Sequence, residues 1–455
     1  MASGSYSEYT LAQFRAELSS RLYDNAVQFW PTAELNLQIA EALRMWNALT
    51  AYWRGDFVFS TQAATTWYDI SNLTVAANTL RPTTLTDASI YALMQYNLLE
   101  PQGMNPWVGS LQYSAQDLLS AVQRRRDELL SISGCTVLRL TTPAVAGRIL
   151  LPESTLDIRR MAYLPSTSFP TQLPSPMFAE DAWAEQSFHP AYLQRPAGTP
   201  IAYLLSTQPP LSFDVDRTPA FGGNYELLLT QAGPSLSVST PTSLGFPDDF
   251  AWVLRFGALA DLFSRDSDAQ DPLRAAYCEQ MYRMGLAVLT TAPALLQLRV
   301  NNVPVITDAV TNADAFQPGW QTLTPGVPTT AYTAGLNLVA LAPQPTSSGT
   351  SITATVVRNA PIPANDAAFI QAGWDDANVI LDLCVHLALL KSGGAEFQST
   401  IPLLQRFLKQ AATYRSKLLE IAEYSALLLN VSQQQENALP RMQPDTLPQA
   451  EVANV

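Results

Sequence analysis

The sequence is poor in charged residues and in histidine, and the shortage of histidine argues against an enzyme. Asp, Glu, Lys and Arg make up 14% of the residues, against about 25% in typical soluble proteins, and so low a charge favours a surface covered by neighbouring molecules. The two histidines, His189 and His386, have no Ser or Cys beside them in a recognisable nucleophile motif. G-x-G-x-x-G and P-loop motifs are also missing. We therefore expect neither catalysis nor a cofactor.

Cysteines and long apolar runs are scarce too. Cys135, Cys278 and Cys384 form no C-x-x-C pair, and two of them fall in apolar helical stripes, where a thiol behaves as a small hydrophobe. No apolar run approaches the ~20 residues that span a bilayer, and residues 1–10 lack the basic and apolar segments of a signal peptide. We expect no disulfide and no membrane association.

Positive charge is outnumbered, because 26 Lys and Arg residues face 39 Asp and Glu residues, for a net charge of −13. Such a chain is not suited to gripping nucleic acid, which requires basic side chains arrayed against phosphates, although an acidic lining lets DNA pass without sticking. The strongest positive patch is Arg124-Arg125-Arg126. We interpret it as a solvated helix face or a set of ion pairs, in preference to a phosphate site, because no aromatic residues are interleaved.

Three patterns resemble ligand sites, and for each a structural role is the favoured interpretation. Asp248-Asp249 and Asp375-Asp376 stand at helix starts, where caps and the helix dipole favour Asp. The triplet Asp266, Asp268 and Asp271 lacks the Gly and Glu of a calcium loop, so we predict no metal. Five aromatic residues could form a sugar-binding platform, but packing in a β core is favoured: Trp183, Tyr192, Tyr203, Trp320 and Tyr332.

Apolar spacing and capping signals predict several helices. Thr10 with Gln13 and Ser114 with Asp117 have the capping-box spacing, and a second helix is predicted from Thr32 to a stop at Gly55. The stretch from Pro247 to Leu289 reads as a helical hairpin, in which Asp271 is the N-cap and Pro272 the first residue of the second helix.

Strand signals fill residues 135–230 and recur from Leu296 to Val357, as short runs of branched residues between Pro and Gly. The predicted fold class is therefore α+β, with a helical bundle that carries inserted β-strand regions. The helical stripes recur after the second β region, within residues 366–430. Residues 431–455 are polar, with scattered Pro and Gln, and are predicted to form a flexible tail.

The chain also shows an ordered internal repeat. Trp183, Gly198, Pro200 and Tyr203 are followed by Pro247-Asp248 and a helical hairpin, and Trp320, Gly326, Pro328 and Tyr332 are followed by Pro363, Asp366 and another hairpin. We interpret residues 1–290 as one module, with its β region at 135–230 and its hairpin at 247–289. Residues 291–430 form the second module, which lacks a counterpart of the first helical pair.

The first 290 residues resemble a head-to-tail adaptor (neck or connector) protein of tailed bacteriophages. The residues that carry the resemblance are Arg21-Leu22, Trp30, Glu34-Leu35, Glu41-Ala42-Leu43, Leu151-Pro152, Trp183, Gly198-Thr199-Pro200-Ile201-Ala202-Tyr203, Pro247-Asp248-Asp249 and Asp271-Pro272-Leu273-Arg274-Ala275-Ala276-Tyr277. The resemblance implies a helical bundle with a β insertion that assembles as a ring, commonly of twelve copies, below the portal. It also implies that Ser432–Val455 is the extension that docks into the portal.

These expectations together describe a structural virion protein, located in the neck or tail and, during assembly, in the host cytoplasm. Its expected partners are further copies of itself in a dodecameric ring, the portal protein, a tail or nozzle protein, and DNA that passes through the channel without sequence-specific binding. The candidate interface residues are Arg124, Arg125, Arg126, Met442 and Leu447. The alternative is a collar or tail-fibre attachment platform, or a glycan-binding module, because the second module is an addition to the usual small adaptor.

Overall fold

The computed structural model describes residues 9–71, 84–100, 112–145, 147–168, 172–191, 194–206, 211–237, 239–266 and 270–428. Eleven helices with defined bounds lie in this part of the chain: α1 Leu11–Arg21, α2 Thr32–Thr50, α3 Asp87–Asn97, α4 Ala115–Ser133, α5 Ala182–Phe188, α6 Ala251–Ser264, α7 Pro272–Thr290, α8 Val310–Phe316, α9 Trp374–Leu389, α10 Gly394–Ser399 and α11 Ile401–Tyr414. Its strands are β1 Arg54–Ser60, β2 Trp67–Asp69, β3 Val137–Pro143, β4 Ile149–Leu150, β5 Thr155–Leu164, β6 Ser175–Glu180, β7 Ala202–Ser206, β8 Ser212–Val215, β9 Asn224–Gln231, β10 Gln297–Val300, β11 Val303–Ala309, β12 Thr330–Ala334, β13 Leu338–Ala342 and β14 Ser351–Val357.

The strands form two large curled mixed sheets of seven strands each. One has the order β3-β9-β5-β6-β7-β8-β4, and the other β1-β14-β10-β11-β12-β13-β2. The chain is thus an α+β protein, but the predicted helical bundle with inserted strand regions is wrong. The sheets are main elements of the architecture, since strands take up 23% and helices 42% of the structure.

The two sheets have the same topology, strand for strand. In each, the first four strands in spatial order pair antiparallel, the fourth and fifth pair parallel, and the remaining strands pair antiparallel. The parallel pair is joined in each sheet by a helix of seven residues, α5 in one and α8 in the other. Each sheet is preceded and followed by a pair of long helices. The chain therefore contains one fold twice.

One copy is inserted into the other. We call residues 84–290 the inner module and residues 9–71 with 291–428 the outer module. Strands β1 and β2 precede the inner module in sequence but pair with β14 and β13, which follow it. The boundary predicted near residue 290 separates the two helical hairpins, yet residues 54–69 lie in the sheet formed by residues 297–357. The helical pair that seemed missing from the second module is α1 and α2.

Backbone details repeat between the modules with the same precision. Helices α1 and α3 both have eleven residues, and the second residue after each helix, Tyr23 or Leu99, has a positive φ. Helices α2 and α4 both have nineteen residues and end at a left-handed residue, Ala51 or Gly134. The bridges between Gly198 and Pro219 and between Gly326 and Pro345 are likewise equivalent.

The helix-capping motifs predicted at Thr10, Ser114 and Asp271 form in the structure. Thr10 and Ser114 each accept a hydrogen bond from the backbone N–H three residues on, and the partner side chain returns the bond, which completes both capping boxes. Asp271 caps α7, and Pro272 is its first residue. The stop predicted at Gly55 is wrong, because α2 ends at Thr50 and the chain has already entered β1 by Gly55.

The helices of both modules share one core. Phe14, Trp46, Phe256, Met281 and Leu383, drawn from five helices of the two modules, belong to a single cluster of buried side chains. Each sheet also has its own apolar face, one around Leu298 and Ile352 and the other around Tyr163 and Leu227. A further cluster joins the two sheets, because it contains residues of both.

Candidate interaction surfaces

The first candidate surface is the junction at which the outer sheet meets the start of β3 in the inner sheet. The side-chain amide of Asn337 accepts a hydrogen bond from the Val137 N–H and donates one to the Val137 carbonyl oxygen, both at 2.9 Å. The Leu336 N–H donates to the Cys135 carbonyl oxygen at 2.8 Å. The side-chain amide of the buried Asn337 therefore bonds to the edge of β3 as the backbone of a neighbouring strand would. It pairs the N–H and the carbonyl oxygen of Val137, which would otherwise be buried without partners.

Gly335 makes this close approach of the two backbones feasible. Its φ is +59°, a left-handed conformation that favours glycine, and a Cβ at this position would lie 2.9 Å from the Gly134 carbonyl oxygen and 2.8 Å from a methyl group of Val137. A side chain here would push the modules apart.

The second part of the junction is made by α8, which packs on the outward face of the inner sheet. The guanidinium of Arg160 on β5 donates hydrogen bonds to both carboxylate oxygens of Asp314 on α8 and to Glu226 on β9. The Gln321 side chain of the outer module donates to the same Glu226 carboxylate at 2.7 Å. Leu228 of the inner sheet is buried in the cluster that also contains Val310 and Trp320.

The ion pairs at this junction compensate for burial. Arg160 and Glu226 are both nearly inaccessible, with side-chain exposures of 5% and 1%. Burial by itself raises the pKa of Glu226, but the neighbouring guanidinium groups of Arg160 and Arg139 outweigh it and hold that pKa below its usual value. The carboxylate is therefore charged in the folded protein, and the junction depends on an intact ionic network.

The matching face of the outer sheet is not covered by the described part of the chain. Equivalence of β1 with β3 and of β14 with β9 places Thr353 where the inner sheet has Glu226, and Thr355 where it has Leu228. The same face carries further polar or exposed side chains on β1 and β10: Arg54, Asp56, Val58, Gln297 and Arg299. Val58 is 48% exposed, although it lies in the middle of a strand.

Helix α5 of the inner module, the counterpart of α8, is also exposed. Trp183 and Phe188 on this helix are both 79% exposed, and Phe178 on the preceding strand is 68% exposed. Glu185 is the exception, because its carboxylate is buried against Arg195. Three aromatic rings are thus exposed between residues 178 and 188, and exposed apolar surface often marks an interaction site.

The predicted basic patch is largely neutralised. Arg125 donates hydrogen bonds to Asp261 on α6 and to Glu279 on α7, and Arg124 pairs with the same Asp261 while its side chain stays 67% exposed. Arg126 is 1% exposed and donates to the carbonyl oxygens of Gly233 and Pro234. The ion-pair interpretation is confirmed for Arg124 and Arg125. Met442 and Leu447 lie outside the described residues.

The paired carboxylates lie in the first turns of their helices, as predicted, but their side chains do not cap them. Neither the 3-10 helix Asp248–Phe250 nor α9 has a side-chain cap. Instead, Asp249 accepts hydrogen bonds from the Asn47 side chain and from the Ala360 N–H, both in the outer module. Next to it, Arg255 on α6 forms a buried ion pair with Glu41 on α2. The reason is tertiary: the buried carboxylates of Asp248, Asp249 and Asp376 meet donors from distant segments.

His386 is a buried structural residue, as predicted. Its Nε2 lies 2.7 Å from the Tyr277 hydroxyl and its Nδ1 lies 2.8 Å from the Thr400 hydroxyl. Burial lowers the pKa of His386 to about 3, so the ring is neutral at physiological pH. The three cysteines are buried free thiols, and burial raises the pKa of Cys278 to about 12.

Of the five aromatic residues, Tyr192 lies outside the described residues, and the other four do not assemble into one platform. Trp320 is 2% exposed and packs edge-on against Tyr332 at 4.9 Å, in the cluster between the sheets. Tyr203 belongs to the core of the inner sheet, and Trp183 projects into solvent. Trp183 and Trp320, which the sequence comparison paired, are not equivalent, because one lies within α5 and the other follows α8.

A better sequence register was present but was missed. Five pairs of residues recur at one constant separation between 176–200 and 304–328: Pro176 and Pro304, Phe188 and Phe316, Pro190 and Pro318, Gly198 and Gly326, and Pro200 and Pro328. This gapless alignment matches α5 with α8 and β6 with β11. The strand pairing gives the same equivalences. The alignment is the signal that would have revealed both exposed helices.

Comparison with known proteins identifies no family. No protein-family model matches the chain, and no curated protein shows significant similarity to it. Within the described residues, no group of three His, Cys, Asp or Glu side chains is placed to hold a metal ion. No helix in that same part of the chain is long and apolar enough to cross a bilayer. Asp268 of the acidic triplet lies outside the described residues.

Proposed function

We propose that this protein is a structural virion component, a ring-forming head-to-tail adaptor that joins the portal to the tail around the DNA channel. The observation that supports the proposal best is the doubling of one module within the chain. A chain built from two like units already contains the kind of contact by which identical subunits assemble. The three exposed aromatic rings on β6 and α5 are a second support, because exposed apolar side chains are typical of assembly surfaces.

The electrostatics are compatible with a DNA channel. The net charge is −13, and the strongest basic cluster is held in ion pairs with Asp261 and Glu279. A lining without free basic clusters binds the phosphate backbone weakly, since non-specific DNA affinity comes from neutralising phosphates. DNA can then slide through the ring during packaging and ejection.

The doubling bears on the number of subunits. A ring with twelve module positions is completed by six chains, whereas a ring of twelve chains contains twice as many modules. The two assemblies have six or twelve times the 49.7 kDa mass of one chain. Native mass spectrometry of the purified protein therefore tests both the ring and its size.

The decisive experiment is to image the purified full chain, alone and mixed with portal rings, by negative-stain electron microscopy. The proposal expects rings with a central hole that stack coaxially on the portal. A chain that remains monomeric in both samples would overturn it. Deleting residues 432–455 should weaken the portal complex without changing the melting temperature, because these residues are the expected docking extension.

A second candidate function, recognition of a glycan or a fibre protein, is favoured by one observation. Trp183 is 79% exposed on α5, and an exposed indole is a suitable stacking surface for a sugar ring. Binding on a glycan array that Trp183→Ala abolishes would support this role. A silent array with intact rings would leave the adaptor as the sole candidate.

A further inference from the structure

The contact between the two sheets is one-directional. The outer module contributes α8 and the loop after it, with Asp314 and Gln321, and the inner module contributes the outward face of its sheet, with Arg160 and Glu226. The two modules thus use different surfaces although they have the same fold. A contact of this kind between like units is heterologous, and repetition of it builds a ring or an open filament.

Each chain also carries a second copy of both surfaces. The counterpart of α8 is α5 in the inner module, and Gln186 on it occupies the place of Asp314, as the fifth residue of the helix. The counterpart of the covered sheet face is the face formed by β1, β14 and β10 in the outer module. There Gln297, opposite Thr355, occupies the place of Arg160, which lies opposite Leu228.

Both of these second copies are accessible. Gln186 is exposed, as is every described residue from 181 to 191 except Glu185, whereas α8 has Val310 and Ala313 buried at 4% and 3% exposure. On the sheet face, Val58 is 48% exposed. The surfaces that meet inside the chain are therefore presented a second time to the outside.

The two exposed surfaces carry opposite net charge, with two arginines and Asp56 on the sheet face and two carboxylates on the other surface. Arg54 and Arg299 project from the outer sheet face, where their described hydrogen bonds go to the Ala51 carbonyl oxygen and to the Gln297 side chain. Neither has a carboxylate partner among the residues that the structure describes. On the other surface, Glu180 and Asp181 lie exposed at the start of α5. Opposite charges brought together in this way steer association and fix its register.

We propose that α5 of one chain packs on the outward face of β1, β14 and β10 of a second copy of this chain, and so repeats between chains the contact that α8 makes within each chain. The inference deepens the proposed ring and rests on it, because it names the two surfaces through which the ring closes. Successive chains then place inner and outer modules alternately around the ring, all joined by the same kind of contact.

A pair of engineered cysteines joined by a short bis-maleimide cross-linker tests the register directly, because an arginine–aspartate contact is too long for a disulfide. Gln186→Cys and Gln297→Cys, combined in the full chain, place thiols at the positions equivalent to Asp314 and Arg160, whose side chains touch within the chain. The three native cysteines are buried and do not compete. The matched control combines Gln186→Cys with Glu420→Cys, an exposed position distant from the sheet face in sequence and element.

After treatment with the cross-linker, the designed pair should give a ladder of covalent oligomers on a denaturing gel, while the control pair and each single variant remain mostly monomeric. Rings seen by native mass spectrometry without a ladder would overturn this inference and leave the proposed function standing. A ladder in which the particles are open filaments would support the inference and contradict the adaptor ring. A protein that gives neither rings nor a ladder would contradict both.

A charge substitution provides an independent test. Val58→Asp adds a carboxylate to the proposed docking face at an exposed position, and Val303→Asp makes the same change on β11, where the side chain is 63% exposed. We expect Val58→Asp to weaken self-association at least tenfold with an unchanged melting temperature, and Val303→Asp to leave it within twofold. Equal effects of the two variants would contradict the proposed surface.

Discussion

The inner and outer modules share one topology, but their sheet faces have different surroundings and different residues. The outward face of the inner sheet lies under α8 and carries Arg160 and Glu226 in a buried ionic network. The same face of the outer sheet is open and has Gln297 and Thr353 at the equivalent positions. The backbone pattern has thus been kept while the side chains changed with what covers them. Strong ion pairs occur where burial makes an unpaired charge costly.

The largest expected effect tests whether the modules share one core. Phe256 on α6 is fully buried and packs edge-on against Tyr277, whose hydroxyl bonds to His386 of the outer module. Phe256→Ala should lower the free energy of unfolding by about 3–5 kcal/mol, with both modules unfolding in one transition in urea. Phe316→Ala, at a site 86% exposed, should change it by less than about 0.5 kcal/mol. Two separate transitions would show that the modules are independent.

The second expected effect addresses the junction between the sheets. Asn337→Ala removes both partners of Val137 and leaves a buried N–H and a buried carbonyl oxygen unpaired. The cost should be about 2–3 kcal/mol. Asn312→Ala, which removes an exposed contact with Asp308, serves as the matched control and should be nearly neutral. Equal urea midpoints for both variants would mean that the junction contributes little.

The third effect is a pH dependence of the free energy of unfolding, caused by His386, which contacts Tyr277 of the inner module. The folded protein keeps His386 neutral, since its pKa is lowered to about 3, while the unfolded chain takes up a proton near pH 6.5. The stabilising contribution is present above pH 6.5 and is lost as pH falls, with about 2 kcal/mol gone by pH 5. His386→Gln should flatten this part of the stability curve relative to the unaltered protein. Parallel curves for the two proteins would contradict the assignment.

The smallest effect separates two neighbouring arginines. Arg125 is largely buried and holds Asp261 and Glu279, so Arg125→Gln should cost about 1.5 kcal/mol. Arg124→Gln should cost less than about 1 kcal/mol, because that side chain is 67% exposed and its ion pair is solvated. The difference should shrink in 1 M salt, measured by thermal melts, if it is electrostatic. A larger effect of Arg124 would point to a partner outside the chain.

Local chemistry in the sequence predicted the ends of several helices but not the architecture. The capping boxes at Thr10 and Ser114 and the Asp271-Pro272 start depend on neighbouring residues alone, so they could be predicted. Helix α3 was missed because its buried face includes the polar residues Gln95 and Asn97, which break the apolar stripe. Helices α5 and α8 were missed because most of α5 is exposed and α8 has just two buried residues.

The sheets and the candidate surfaces could not be predicted for a different reason. Pairing of β1 with β14 joins residues 54–60 to residues 351–357, and no local pattern specifies a partner so far along the chain. The exposed face of the outer sheet could not be predicted either, because it consists of β1, β14 and β10, which are far apart in the sequence. The repeat was recognised, but Trp183 was aligned with Trp320. That alignment differs from the gapless one, so the insertion of one module into the other was not predicted.

The insertion of one module into the other also sets the order in which the two modules can fold during synthesis. When Thr290 leaves the ribosome, every strand of the inner sheet is available, whereas β1 and β2 still await partners that end at Val357. We infer that the inner module folds first during translation and that the early outer strands stay unpaired meanwhile, as slow long-range pairing requires. Pulse proteolysis of stalled nascent chains should show residues 112–290 protected before residues 54–69. Simultaneous protection would refute this order.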